Sequence, residues 1–290
     1  MNGVLVVDKP QGVTSFDVVR EVRRALRVKK AGHTGTLDPM ATGVLPVCVG
    51  DATKIAQFIT LATKSYDATV RLGVTTDTLD AEGQVLLERP VPPITREVLE
   101  AALQKFRGTF PQTPPMFSAV KVGGKRLYEL ARNGEEVERA ARPVTVFELT
   151  LRDFSAAEVK LSVRASKGFF VRCLAADLGE ALGCGAHLTA LRRTQSGTFS
   201  LAQAVPLAEV QAQGPAMAAR LVSMQDALAD VPALDVTAAE AERVRHGGVV
   251  EVSASLSGLL RVVGPGHELL ALADAERGRL RYRRVLAREG

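Results

Sequence analysis

The chain has 290 residues, 46% of them apolar, enough for one large domain and a small one, each able to bury a core. Its net charge of +5 suits an anionic partner such as nucleic acid, and its three cysteines are too few and too irregular for a disulfide framework. No stretch approaches the roughly 20 apolar residues of a membrane span. There is no dinucleotide or phosphate-loop glycine motif and no secretory core, so a cytoplasmic protein without a cofactor is expected.

Val4–Val7 reads as a buried strand, broken by Asp8-Lys9-Pro10-Gln11-Gly12. Ser15 is placed to cap a helix with Phe16, Val19, Val22 and Leu26 on its apolar stripe. The opposite face carries Arg20, Arg23, Arg24 and Arg27, with Lys29 and Lys30 beyond; such a run is either simply solvated or able to hold phosphates. Residues 32–45 then crowd Gly32, Gly35, Pro39 and Gly43 around one acid, Asp38. Glycines let a backbone approach a ligand, and proline presets the direction of the acid before it. The same Asp-Pro pair is also a common helix start.

Val44–Val49 predicts a strand, 51–62 a helix, and Tyr66–Leu72 a second strand. Asp77, Asp80 and Glu82 fall in turn-like sequence before the short strand Gln84–Leu87. Thr95 caps a helix stopped by Gly108, and Val159–Ala165 alternates as a half-buried strand. Ser166-Lys167-Gly168 turns into a helix carrying Leu174, Leu178 and Leu182. Residues 206–230 read as a helical connector; from about Pro232 short strands, glycine turns and a basic end at Arg277–Arg284 suggest a compact β unit. Strands and helices mix without a regular βαβ repeat, which gives an α+β class. Cys184 and His187 are close in sequence but too few for a zinc site.

Gly-His-Thr-Gly-Thr-Leu-Asp-Pro-Met-Ala-Thr-Gly-Val-Leu, residues 32–45, resembles the signature of the pseudouridine synthases that act on the T arm of tRNA. The resemblance implies a mixed-sheet catalytic domain over residues 1–230, with flanking helices and a thumb insertion at about 107–143. It also implies a small PUA-like RNA-binding domain over 231–290. The activity implied is isomerisation of uridine 55 in the T loop, with no cofactor and no metal, by a monomer acting without guide RNA. The short N-terminus and the thumb-like stretch fit the stand-alone bacterial form better than the guide-dependent relative of archaea and eukaryotes. A non-catalytic RNA-binding or tRNA-folding role is the reading from another class.

Asp38 is the family's essential aspartate. It either attacks C1′, as in retaining glycosidases, or removes the 2′ proton and lets a glycal form; the sequence leaves both routes open. A two-carboxylate glycosidase would need a second acid, and nothing in the sequence marks Asp8, Asp77 or Asp80 as that partner. Arg172, in Ser-Lys-Gly-Phe-Phe-Val-Arg-Cys-Leu, resembles the arginine that pairs with the catalytic acid. Tyr66 matches the tyrosine placed against the target uracil, where an aromatic face can stack on a flipped base. His33 resembles the residue that enters the T loop and is expected to be exposed. Phe170 and Leu191 resemble positions lining the uracil pocket, with Phe170 standing where the family often has Tyr. Lys9 is expected near the substrate. Pro114–Arg132 resembles the thumb, with Lys121, Lys125 and Arg126 for phosphates, Phe117 and Tyr128 for bases, and Gly123-Gly124 as a hinge. That segment is expected to order on RNA binding.

Overall fold

A computed structural model describes residues 1–286; residues 287–290, the end of the expected C-terminal unit, lie outside the described residues. The large sheet is ordered Val205–Pro206, Gly3–Lys9, Thr42–Val49, Ala186–Ser196, Lys64–Leu72, Glu158–Ala165, Arg142–Phe154 and Gly108–Gln112. Two short strands, Ala31–His33 and Phe199–Ser200, add to it. Neighbours run antiparallel except where Gly3–Lys9 meets Val205–Pro206 and where Thr42–Val49 meets Ala186–Ser196. The parallel step brings Gly43 beside Arg193 and so sets the base of the Asp38 loop against the central strand.

Apolar alternation decides which side of the sheet is covered. Val70, Leu72, Leu161, Val163, Leu188 and Leu191 join one core with Val18, Val19 and Val22 of the helix Ser15–Ala25. Leu99 and Leu103 of Arg96–Gln104 and Leu174 and Leu178 of Val171–Ala181 complete it. Burying each such aliphatic side chain contributes about 1.5–3 kcal/mol, so three amphipathic helices are anchored by few residues apiece. A four-stranded sheet, Ala233–Asp235, Gly258–Val263, Leu269–Glu276 and Arg279–Val285, forms the C-terminal unit with the helix Ala238–Arg245. It has its own core around Val244, Val262 and Leu280. Leu269, Leu272 and Leu286 also pack with Val4, Val6 and Ile55 of the large sheet and its flank.

Several local expectations are corrected. Thr14, not Ser15, caps the first helix: its hydroxyl accepts from Asp17 N, and Asp17 returns the bond in a capping box. Ser15 is freed for another task and is buried. Phe16 is off the apolar stripe and 68% exposed; Val18 takes its place. The helix expected over 51–62 divides into a 3₁₀ turn, Gly50–Lys54, and a single α turn, Ala56–Ile59. The helix capped by Thr95 ends at Gln104, and Gly108, with φ of 81°, opens a strand after three intervening residues rather than stopping the helix. Gly123 and Gly124, both at positive φ, form the two-residue turn of the hairpin Lys121–Val122/Lys125–Arg126. They tighten that hairpin rather than loosen a hinge. The connector 206–230 holds one α-helix, Leu207–Gln213, and two 3₁₀ segments, Gly214–Arg220 and Asp226–Leu228. The chain leaves the large sheet at Gln112 and rejoins it at Arg142; the hairpin and the helix Leu127–Arg132 lie in that excursion.

Candidate active site

Asp38 lies in the loop between Ala31–His33 and Thr42–Val49 and caps no helix. Its backbone is pinned from three sides. The Ser15 hydroxyl accepts from Leu37 N at 2.8 Å and donates to Leu37 O at 2.9 Å. Lys9, wholly buried, donates from Nζ to Pro10 O, Pro39 O and Ala41 O at 3.0, 3.2 and 2.6 Å. Arg193, also buried, donates to Val44 O at 2.7 Å and Gly35 O at 3.1 Å. Gly43 has a φ of 101°, and a Cβ there would stand 2.2 Å from Arg193 O, so only glycine lets the loop close on the strand. Lys9 was expected to contact substrate; its burial makes it a brace beneath the loop instead. Desolvation lowers its pKa to about 8, against the pull of Asp38.

Arg172, in the first turn of Val171–Ala181, uses its whole guanidinium. Nε meets Asp38 Oδ2 at 3.0 Å and Nη1 meets Asp80 Oδ2 at 3.3 Å. Nη1 also donates to Thr78 O at 3.0 Å, and Nη2 to Phe117 O at 2.7 Å. Asp38 is therefore not a lone acid. Asp80 is buried and is held independently of Arg172, because its Oδ1 accepts from Thr78 Oγ1 at 2.6 Å and from Glu82 N at 3.1 Å. Nothing in the sequence separates Asp80 from its turn neighbours Asp77 and Glu82. Burial pushes the Asp38 carboxyl above the usual aspartate range; Arg172 opposes that shift, Asp80 adds to it and Lys9 opposes it again. Glu82 is raised for similar reasons, burial first and then Asp80 and Asp38.

A cleft of about 960 Å³ opens over Asp38. Its floor and near wall are Ser15, Phe16, His33, Leu37, Asp38 and Asp80; the far wall is Phe117, Lys121, Arg126 and Tyr128, with Arg172 between. His33 is half-buried rather than open, its Nδ1 has no partner, and burial together with Arg193 lowers its pKa. Lys121 and Arg126 face the cleft, whereas Lys125 is exposed on the hairpin outside its lining. The guanidinium groups of Arg126 and Arg132 lie 5.8 and 5.5 Å from the Tyr128 ring centroid, and Arg126 Nη1 donates to the Tyr128 hydroxyl at 2.8 Å. Tyr66 is half-buried beside the core, paired in register with Arg193. Leu191 is buried next to Ala68. Phe170 precedes the Arg172 helix, and buried Gln112 clamps it: Phe170 N donates to Gln112 Oε1 at 2.8 Å and Gln112 Nε2 donates to Phe170 O at 3.2 Å. Sequence inspection missed Gln112, since an isolated glutamine carries no periodic or motif signal. The same holds for Arg193, which pattern alone would read as one more strand cation.

Cys184 and His187 are buried apart from this cleft, and His187 Nδ1 bonds Val74 O at 2.8 Å. Among the described residues no group of three His, Cys, Asp or Glu side chains is arranged as metal ligands. No helix of the described residues is long and apolar enough to cross a membrane.

Residues 23–171 match the model of the TruB family pseudouridylate synthase N-terminal domain, and residues 172–231 that of the tRNA pseudouridylate synthase B C-terminal domain. The chain belongs to the TruB family. It is 46% identical over 288 residues to the tRNA pseudouridine synthase B of Azoarcus sp. (strain BH72), covering 99% of this chain and 95% of that one. It is 48% identical over 297 residues to the protein of the same name from Ralstonia nicotianae, covering 99% and 94%. Among solved structures, one from the crystal structure of a Cbf5-Nop10-Gar1 complex superposes with a TM-score of 0.75 at 25% identity, covering 98% of this chain and 84% of that chain. The seam between the two TruB models, at residues 171 and 172, falls just before Arg172, so both matched segments contribute to one sheet and one cleft.

Proposed function

We propose that this TruB-family chain converts uridine 55 in the T loop of tRNA to pseudouridine. The reaction breaks the C1′–N1 bond, turns the uracil and joins C1′ to C5; the proton on C5 is lost and N1 gains one. Nothing is oxidised or transferred, so the chemistry asks for no cofactor. The observation that carries the reading is the Asp38 carboxylate at the open cleft, held 3.0 Å from a guanidinium that four acceptors fix in place. A carboxylate aimed this way serves either route, attack on C1′ or removal of the 2′ proton. Arg172 orients it and favours its ionised form against the cost of burial.

The uridine must leave its stack to reach Asp38, which costs roughly a few kcal/mol. Tyr66 supplies an aromatic face for the extruded base, worth roughly 1–3 kcal/mol. By resemblance Leu191 and Phe170 belong to its pocket, although neither lines the cleft over Asp38 and Leu191 lines a different cavity beside Met40; His33 enters the T loop from the cleft wall. Lys121, Lys125 and Arg126 on the thumb, about residues 107–143, hold phosphates. Residues 1–230 are the catalytic domain and 231–290 a PUA-like RNA-binding unit. The enzyme works as a monomer in the cytoplasm, without guide RNA.

The purified chain, incubated with unmodified tRNA and with a bare T-arm hairpin, without metal, nucleotide or guide RNA, is expected to place pseudouridine at position 55 in both. Asp38→Asn is expected to abolish product while retaining tRNA binding. An unchanged uridine in the wild-type reaction, or full turnover by Asp38→Asn, overturns the reading.

A further inference from the structure

We propose that the exposed face of the helix Ser15–Ala25 and the loop after it, through Lys30, is a second RNA contact that carries the phosphate backbone of the tRNA away from the catalytic cleft. This rests on the function proposed above. Between residues 15 and 30 there are six basic side chains and two acidic ones, four of the chain's five net positive charges. All six cations, Arg20, Arg23, Arg24, Arg27, Lys29 and Lys30, are exposed.

Both acids on this element are already engaged. Asp17 accepts from the backbone and hydroxyl of Thr14 and meets Arg20 at 2.9 Å. Glu21 is turned toward the neighbouring helix, where it accepts from Gln211 Nε2 at 3.0 Å, and also from Arg24. Helix-end electrostatics accounts for Arg23 and Arg24, which sit in the last turn, but not for Arg27, Lys29 and Lys30 beyond it.

Arg27 adds an independent sign. The helix ends in a Schellman arrangement: Arg27 N donates to Arg24 O and Val28 N to Arg23 O. That geometry puts Arg27 at a φ of 54°, the left-handed region that glycine occupies without strain. At that position an arginine costs backbone strain that glycine would not, and its exposed side chain makes no hydrogen bond or ion pair among the described residues that offsets it.

Position supplies the partner. Thr14, Ser15 and Phe16, at the start of the helix, line the cleft over Asp38, so its cations lead outward from the place where the target nucleotide enters. Eleven residues at 1.5 Å each carry the stripe about 16 Å from the cleft. Phe16, 68% exposed at the cleft rim, offers an aromatic face where stripe and cleft join.

The test is the salt dependence of tRNA binding. Unmodified tRNA is titrated onto the full chain across a range of salt, and the slope of log affinity against log salt counts the phosphates neutralised. Replacing Arg23, Arg27 and Lys30 by Gln is expected to lower that slope by about 2–3 and to weaken binding about tenfold at low salt, with the single-turnover rate at saturating tRNA unchanged. A control removing three exposed cations elsewhere, Arg71, Arg152 and Arg220, is expected to leave the slope as it was. Arg27→Gly alone is expected to raise the melting temperature while weakening tRNA binding, opposite effects that a purely structural residue would not show. An unchanged slope in the first variant, or an equal loss in the control, overturns the inference. So does a loss confined to binding of anionic phospholipid vesicles, which would assign the face to a membrane. If wild-type chain binds tRNA but makes no pseudouridine, the proposed activity fails while the salt slopes still judge this face.

Discussion

Replacing Arg172 by Lys keeps the charge and removes the geometry. The guanidinium serves Asp38, Asp80, Thr78 O and Phe117 O at once, and an ammonium on a shorter stem keeps Asp38 or Asp80 but not both. If Asp80 is abandoned, a carboxylate only 4% exposed is left without its cation. Breaking a buried pair in this way costs about 3–5 kcal/mol, and stranded carbonyls add to it. Even where Asp38 keeps the ammonium, it loses the planar fork anchored on Asp80, Thr78 O and Phe117 O that aims it, and about 4 kcal/mol of lost aim is about a thousandfold in rate. The assay is the single-turnover rate at saturating tRNA, beside tRNA affinity and thermal melting. Arg172→Lys is expected to bind tRNA nearly as wild type, to melt well below it, and to turn over about a thousandfold more slowly. Adding Asp80→Asn to this variant removes the stranded charge, so melting should recover in part while the rate does not. A single-turnover rate within about threefold of wild type would refute the reasoning.

Further predictions concern the same cleft. Because burial raises the folded-state pKa of Asp38 above the ordinary 3.8, the folded protein binds more protons than the unfolded chain between those two values, and stability falls as pH rises through that window. Asp38→Asn should therefore melt higher than wild type at neutral pH, the gain vanishing below 3.8, and the acid limb of wild-type activity should lie above 3.8; a destabilised Asn variant at neutral pH contradicts this. Gln112→Leu strands the N–H and C=O of Phe170 and should lower stability by about 1–3 kcal/mol and the turnover rate with it, read by denaturant titration and kinetics. Tyr66→Phe should retain tRNA affinity better than Tyr66→Ala, by up to roughly 1–3 kcal/mol; equal affinities count against stacking. Protease cleavage within residues 113–141 should slow when tRNA is added, and equal rates would argue against ordering of the thumb on RNA.

Much of the backbone around the proposed site was legible because it is set locally, while the roles of its side chains came from the family resemblance. The glycine and proline crowding around Asp38 reports on backbone conformation, which depends on few neighbours. The helix bearing Arg172 and the strand bearing Tyr66 followed from apolar periodicity. What escaped was set by packing between distant segments. Asp80 sits in a turn where aspartate is common, and only the arrival of Arg172 separates it from Asp77. Phe16 fitted the apolar stripe by spacing, yet Thr14 took the cap and Val18 the buried position, which turned Phe16 outward. Lys9 reads as a turn residue near the substrate, and its burial follows from three carbonyls that converge only when the Asp38 loop folds over it.

The reach of Arg172 along the polypeptide has a consequence for synthesis. Its acceptors at Thr78 and Phe117 lie 94 and 55 residues earlier in the chain, and Asp38 earlier still. A ribosome delivers the acid first and its steering cation much later, so a nascent chain carries an unaimed carboxylate until the helix at Val171–Ala181 emerges and docks. The proposed site is thus complete only after the Phe117 segment, the Asp80 turn and the acid loop have all been gathered by one side chain.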